Sequence, residues 1–179
     1  MFNQHRKHSG NFMRIRKKKW ALPELDLCPY FVKDAENYFG KWKTFFENDN
    51  PIELEIGCGK CSFVAQKALQ NPNTYYIGVD IKSDMLGVGR RNIEKCFLEN
   101  GATVRNIALV AFNVENIEKL ISKDDNISKM YINFCNPWPR EKHKKRRLTF
   151  PKKLVKYREF LYDDAKICFK TDDDGLFED

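Results

Sequence analysis

The sequence predicts a doubly wound α/β domain with a mostly parallel sheet, and three observations carry that expectation. From residue 51 onward, short β-branched runs alternate with helical segments; a turn with two glycines follows the first run; and polar residues stand at the ends of successive runs. Alternating strands and helices imply βαβ units, right-handed crossovers and a sheet covered on both faces. Strands are expected at 52–56, 75–79, 107–112, 130–134 and 166–169, and helices at 62–70, 84–99 and 152–161. No internal repeat or low-complexity tract interrupts the pattern. The chain stops just after the fifth expected strand, and a sheet of this kind usually continues, so a truncated C-terminus is expected.

Length and composition agree with one domain. The chain has 179 residues, 42% of them hydrophobic, enough for a single core and too few for two ordinary domains. Residues 1–29 are polar and basic without sustained periodicity and read as a largely disordered arm, leaving 30–179 as the folded domain. Met13 begins a plausible start of its own, so residues 1–12 read as an extension. Lys and Arg number 32 against 25 Asp and Glu, a formal charge of +7, and the excess is clustered. That favours a polyanionic partner. No run approaches the ~20 apolar residues of a membrane span, and the opening residues lack the apolar core of a secretory signal. A cytoplasmic protein is expected, with its six cysteines reduced. Nothing in the sequence sets a monomer against a homodimer.

The run Glu-Leu-Glu-Ile-Gly-Cys-Gly-Lys-Cys-Ser-Phe at 53–63 places Gly57 and Gly59 in the turn from the first strand to the first helix. Open α/β sheets bind ligands at that carboxyl edge. Glycine permits positive φ and close backbone approach. A dinucleotide fingerprint needs a third glycine at 62, where Ser62 stands, and no P-loop spacing is present. Glu55, just before the turn, would repel a pyrophosphate and suits a cationic ligand; S-adenosylmethionine carries both an ammonium and a sulfonium. Asp80, at the tip of the second strand, can accept both ribose hydroxyls, as it also could for a nicotinamide dinucleotide. Asn113, after the third strand, can meet an adenine edge. Each alone reads more readily as a solvated strand-end residue than as a ligand contact; in register on three strand ends they point to a cofactor.

Cys58 and Cys61 form a Cys-x-x-Cys, but no second pair completes a zinc site and the turn lacks a thioredoxin-like context, so small side chains in a tight turn are expected. The acids at 172–174 lack the alternate spacing of a calcium loop. No metal is expected.

The fourth strand runs into Asn-Phe-Cys-Asn-Pro-Trp-Pro-Arg-Glu-Lys-His-Lys-Lys-Arg-Arg-Leu at 133–148. Prolines on both sides of Trp138 stiffen the loop. The run after it, with Arg140, Lys142, Lys144, Lys145, Arg146 and Arg147, suits phosphates. Taken with Glu-Ile-Gly-Cys-Gly-Lys at 55–60 and Phe-Lys-Thr-Asp at 169–172, these segments resemble the bacterial tRNA (guanine-N7)-methyltransferase family, over nearly all of 13–179. The resemblance implies a Rossmann-like class I methyltransferase fold, S-adenosylmethionine as cofactor and tRNA as substrate. It implies cofactor contacts from Glu55, Asp80, Asn113 and Asn136, and substrate contacts from Arg140 and Asp172. Asn136 and Asn113 replace the family's usual acids, Cys61 replaces a third loop glycine, and the family's C-terminal substrate-contacting segment would lie beyond Asp179.

Guanine N7 is a lone-pair acceptor without a proton. Its methylation needs no general base, only in-line placement, which Asn136 can assist by hydrogen bonding. Trp138 is read either as a base-stacking ring or as a peg closing the loop. Asp172 is read either as the acceptor of guanine N1–H and N2 donors or as the cap of the following turn. Three alternatives remain: an exocyclic-amine methyltransferase, disfavoured by Asn-Pro-Trp-Pro in place of Asn-Pro-Pro-aromatic; a nicotinamide oxidoreductase, disfavoured by Glu55; and a tRNA-binding protein without catalysis.

Overall fold

Parallel strands in the sequence order 3-2-1-4-5 form the centre of the molecule. The computed structural model describes residues 17–178. The strands are β1 Ile52–Ile56, β2 Tyr75–Asp80, β3 Ile107–Ala111, β4 Ile127–Asn133 and β5 Lys166–Lys170, all within a few residues of the expected bounds. Every neighbouring pair is parallel. Helices α1 Ala21–Asp26, α2 Trp42–Phe46, α3 Ser62–Gln70, α4 Ser83–Glu99, α5 Pro151–Phe160 and α6 Asp174–Phe177 surround them.

The helices divide between the two faces. On one, Leu25 of α1, Val64, Ala65 and Ala68 of α3, and Leu86, Ile93 and Phe97 of α4 pack with Tyr76 and Leu109. On the other, Trp42 and Phe46 of α2 and Tyr157 and Phe160 of α5 pack on Leu54, Ile77, Val110 and Ile132. The buried positions of α4 recur at helical spacing, Asp84 lies in its positive first turn, and Gly101, at φ +62°, follows its end.

The arm expected over residues 1–29 lies outside the described residues as far as 16, and its remainder requires a correction. Residues 21–26 are helical, with Ala21 and Leu25 fully buried. Gly87 of α4 permits this, since a Cβ there would stand 2.5 Å from that of Ala21. Glu24 pairs with Arg90 and Arg91, and the Arg91 guanidinium lies 3.6 Å from the Trp20 ring centroid. So short a helix has little stability of its own and is held by tertiary packing, which a period-based reading of residues 17–29 does not register. Such a reading passes over helix α2 for the same reason. Asp125 fixes the approach of α2 by accepting the backbone N–H groups of Gly40, Trp42 and Ser122 at 2.9–3.0 Å.

Candidate active site

The turn after β1 is built by backbone conformation and by the groups that make room for it. Gly57, Gly59 and Cys61 have φ of +72°, +54° and +55°, and the last is an uncommon conformation for a residue with a Cβ. The N–H groups of Gly57 and Cys58 donate to the Val79 carbonyl at 2.8 and 3.1 Å, which ties the turn to the end of β2. Two glycines elsewhere accommodate the cysteines: a Cβ on Gly78 would lie 3.3 Å from Cys58 Sγ, and one on Gly89 only 2.4 Å from Cys61 Sγ. The thiols are buried, 3.7 Å apart, and the hydrogen bond with Cys61, together with burial, pushes the Cys58 thiol up. They act as packing in the turn. Among the described residues, no three acidic, cysteine or histidine side chains gather so as to hold a metal ion.

Asp80 closes the same turn from β2. Its Oδ2 accepts the Gly59 N–H at 2.9 Å and its Oδ1 the Lys82 N–H at 2.8 Å, so the carboxylate is fixed by the backbone it helps shape. Further lone pairs remain for a ligand's hydroxyls.

Glu55 lies in the central strand at 4% exposure. Asn133, at the end of the adjacent β4, donates from Nδ2 to its Oε1 at 2.9 Å, while Oε2 is buried without a hydrogen-bond partner. Burial pushes this carboxyl up to about 7; the Asn133 bond opposes the rise and the nearby Asp80 charge adds to it. A buried acceptor left unpaired is costly. Here the unpaired oxygen stands beside a glycine turn at the ligand edge of the sheet and suits a cationic donor. Asn133 is not singled out by the sequence; the signal is its place on β4, two residues past the Tyr131 that pairs with Glu55, and therefore on the same face.

Asn113 lies at the same edge, since the Phe112 N–H donates to the Asp80 carbonyl at 3.0 Å. Its exposed side chain accepts the Glu115 N–H at 3.1 Å and caps the turn at Val114–Lys119, so its amide donors are what it offers a ligand.

The loop after β4 is bent at two residues with positive φ, Phe134 at +48° and Trp138 at +44°. Asn136 Oδ1 accepts the Trp138 N–H at 3.1 Å, which leaves the Nδ2 donors. The Trp138 ring turns to its own chain, with its centroid 5.6 Å from that of His143 and 5.0 Å from the Arg146 guanidinium. This is the arrangement of a peg.

The basic run separates into two kinds. Arg140, Lys145 and Arg146 are exposed, and Lys144 pairs with Glu141 at 3.2 Å. Arg147 is instead 5% exposed and donates from Nε to the Pro137 carbonyl at 2.7 Å. It clamps the loop from below and is not a surface charge, which corrects the expectation that it joins the phosphate-facing set. Leu148 then reaches the turn after β1, 3.4 Å from where a Gly57 Cβ would be, and thereby brings the loop and the turn together.

Asp172 is exposed just past β5. It does not cap α6: Asp173 does, accepting the Leu176 N–H at 2.8 Å. The capping alternative for Asp172 is thereby removed.

Comparison with known proteins bears on family and fold. A sequence-family model described as "Putative methyltransferase" matches residues 49–179. A tRNA (guanine-N(7)-)-methyltransferase of Clostridium beijerinckii is 52% identical over 167 residues, covering 93% of this chain and 76% of the relative. One from Ruminiclostridium cellulolyticum is 52% identical over 168 residues, covering 93% and 71%. Among solved structures, an antibiotic-related methyltransferase superposes with a TM-score of 0.56 at 13% identity, over 78% of this chain and 67% of that one. The 16S rRNA methyltransferase KamB does so with 0.54 at 11% identity, over 72% and 57%; both likenesses concern the fold alone. With half its residues shared across nearly its full length, the chain belongs to the tRNA (guanine-N(7)-)-methyltransferase family.

Proposed function

We propose that the protein transfers a methyl group from S-adenosylmethionine to N7 of a guanosine in tRNA. The observation that carries this reading is the buried Glu55 carboxylate, one oxygen held by Asn133 and the other unpaired, beside the Gly57–Gly59 turn. A sulfonium cofactor with an ammonium group supplies a cationic donor for that oxygen and an electrophilic methyl for transfer. Asp80 is suited to the ribose hydroxyls and the Asn113 amide to the adenine edge.

The chain's own residues have little proton chemistry to perform. N7 has a lone pair and no hydrogen, so no side chain need act as base. Their task is orientation. Asn136, with its oxygen committed to Trp138 N–H, offers amide donors to an acceptor such as guanine O6, which also disfavours the exocyclic-amine reading, since that one needs the oxygen. Arg140, Lys145 and Arg146 are suited to tRNA phosphates, and Asp172 to the guanine N1–H and N2 donors.

The test is incubation of the protein with methyl-labelled cofactor and tRNA, followed by nucleoside analysis. Label in 7-methylguanosine is expected. Label in another nucleoside, or none in tRNA, overturns the proposal.

A further inference from the structure

Among the large apolar side chains of the loop after β4, Phe134 is the one left open. It is 58% exposed and sits immediately after Asn133, the partner of Glu55. Its backbone is left-handed at φ +48°, a conformation disfavoured for a bulky residue and found where surrounding structure enforces it. The enforcement is visible: the Phe134 N–H donates to the Lys170 carbonyl at 2.8 Å, at the last residue of β5. Above the ring, Lys170 Nζ lies 5.2 Å from the centroid. The exposed face thus already holds a positive charge.

Resting on the proposed function, we infer that Phe134 is the platform on which the target guanine stacks during methyl transfer, the role that the sequence offered to Trp138. In the transfer, the N7 lone pair forms the new N–CH3 bond and the S–CH3 electron pair remains on sulfur. No proton moves, and the positive charge passes from sulfonium to purine. A ring face carries negative electrostatic potential and attracts a cation, so Phe134 holds the methylated purine, and the transition state leading to it, more strongly than neutral guanine. Binding that strengthens along the reaction raises the rate. The ammonium of Lys170 occupies the face before a base arrives and, on a flexible stem, withdraws to a phosphate when it does. Asp172, two residues beyond Lys170, stands at the end of the same strand for the guanine donors. Trp138 is unsuited to the role because its ring is engaged by His143 and Arg146.

The test compares Phe134→Gly and Phe134→Tyr in the whole chain by single-turnover methylation at saturating cofactor and tRNA. Glycine accepts the left-handed backbone, so this variant removes the ring without disturbing the turn. Loss of one stacked base lowers the rate about tenfold to a hundredfold, with cofactor and tRNA affinities unchanged within about twofold, since phosphates dominate the latter. Phe134→Tyr is expected to stay within about threefold of wild type. An unimpaired glycine variant, a tyrosine variant as slow as glycine, or loss of cofactor affinity with the ring overturns the inference. Borohydride–aniline cleavage of wild-type product identifies N7 separately, so failure there overturns the proposed function alone. If the wild type transfers no methyl, an oligoribonucleotide with a single 2-aminopurine decides: quenching by wild type and Phe134→Tyr but not Phe134→Gly supports the platform, and equal response overturns it.

Discussion

At the β1–β2 edge every important group is fixed by burial or by backbone; at the β4–β5 edge, one strand away, the important groups are mostly exposed side chains. Glu55 is buried, Asp80 is bound by two backbone N–H groups, and the thiols of the turn occupy spaces left by Gly78 and Gly89. Arg140, Lys145, Arg146 and Asp172 have solvent around them, and only the loop beneath is rigid, through Arg147 and Asn136. The contrast fits two kinds of ligand. A small cofactor is best held in a preformed pocket, whereas a long polyanion is gathered by charges that adjust to its backbone.

Replacing groups on the preformed edge should have the larger effects. Asp80→Ala removes the acceptor of the Gly59 and Lys82 N–H groups and, on the proposed function, that of the ribose hydroxyls; charge-assisted bonds of this kind are worth about 1.5–3 kcal/mol each. Cofactor affinity measured by calorimetry is expected to fall by about a hundredfold, roughly 3 kcal/mol. A fall of less than about threefold would mean that the edge is not preformed by Asp80.

The Glu55 carboxyl gives the same edge a pH dependence. Its ordinary value is 4.5 and burial raises it to about 7, so binding a cation must first remove a proton at lower pH. Cofactor affinity should weaken about tenfold for each unit below pH 7, and Glu55→Gln should be weaker overall and flat across that range. For stability without ligand the sign is opposite to that of a salt-bridged acid. Between pH 4.5 and 7 the folded state holds the proton that the unfolded state has released, so this residue's contribution is full below 4.5 and is lost as pH rises through 7. Denaturant titrations of wild type and Glu55→Gln should converge at the acid end; parallel curves would remove Glu55 as the titrating group.

Packing beneath the turn is the next lever. Gly89→Ala places a Cβ against Cys61 Sγ; overpacking costs about 1–3 kcal/mol, partly offset by about 1 kcal/mol of helix propensity. A net loss of about 1 kcal/mol with weakened cofactor binding is expected. Adding Cys61→Gly, which suits φ +55°, should restore both, and a double variant no better than the single would refute the steric account.

The smallest changes belong to the charged edge. Lys145→Gln and Arg146→Gln should each reduce the slope of log affinity for tRNA against log salt by about 0.7–0.9 for every phosphate no longer neutralised. Arg147→Leu should leave the slope alone and lower the thermal midpoint. If Arg147 changes the slope as the other two do, it is a phosphate ligand after all, and the division of the basic run is wrong.

The same division explains which features are legible in the sequence. Strand positions are legible because parallel strands are nearly continuous apolar runs, against which Glu53 and Glu55 stand out. Asp80 and the two loop glycines are legible because strand ends define the ligand edge. What escapes depends on contacts between distant segments: Ala21 needs Gly87, Glu55 needs Asn133, and Arg147 is a clamp only because Pro137 lies above it. In composition Arg147 is indistinguishable from Arg146. Phe134 escapes for another reason, since an exposed phenylalanine after a strand has no periodic signature.

The strand order also sets a sequence of events in time. Everything from β1 to β3, with the helices between, closes through neighbouring parallel pairings, whereas β4 joins β1 through partners such as Lys129 and Glu53 that are 76 residues apart in the chain. Contacts of long sequence separation form slowly, and a chain made from its N-terminus supplies these after those of β1 to β3. The turn around Gly57 and its Asp80 brace can therefore assemble while β4 is still being synthesised. The Glu55 carboxylate, meanwhile, waits for Asn133. Until β4 docks, that acid has one flank open to water, so the buried carboxyl held by Asn133 exists only once the two halves of the sheet have met.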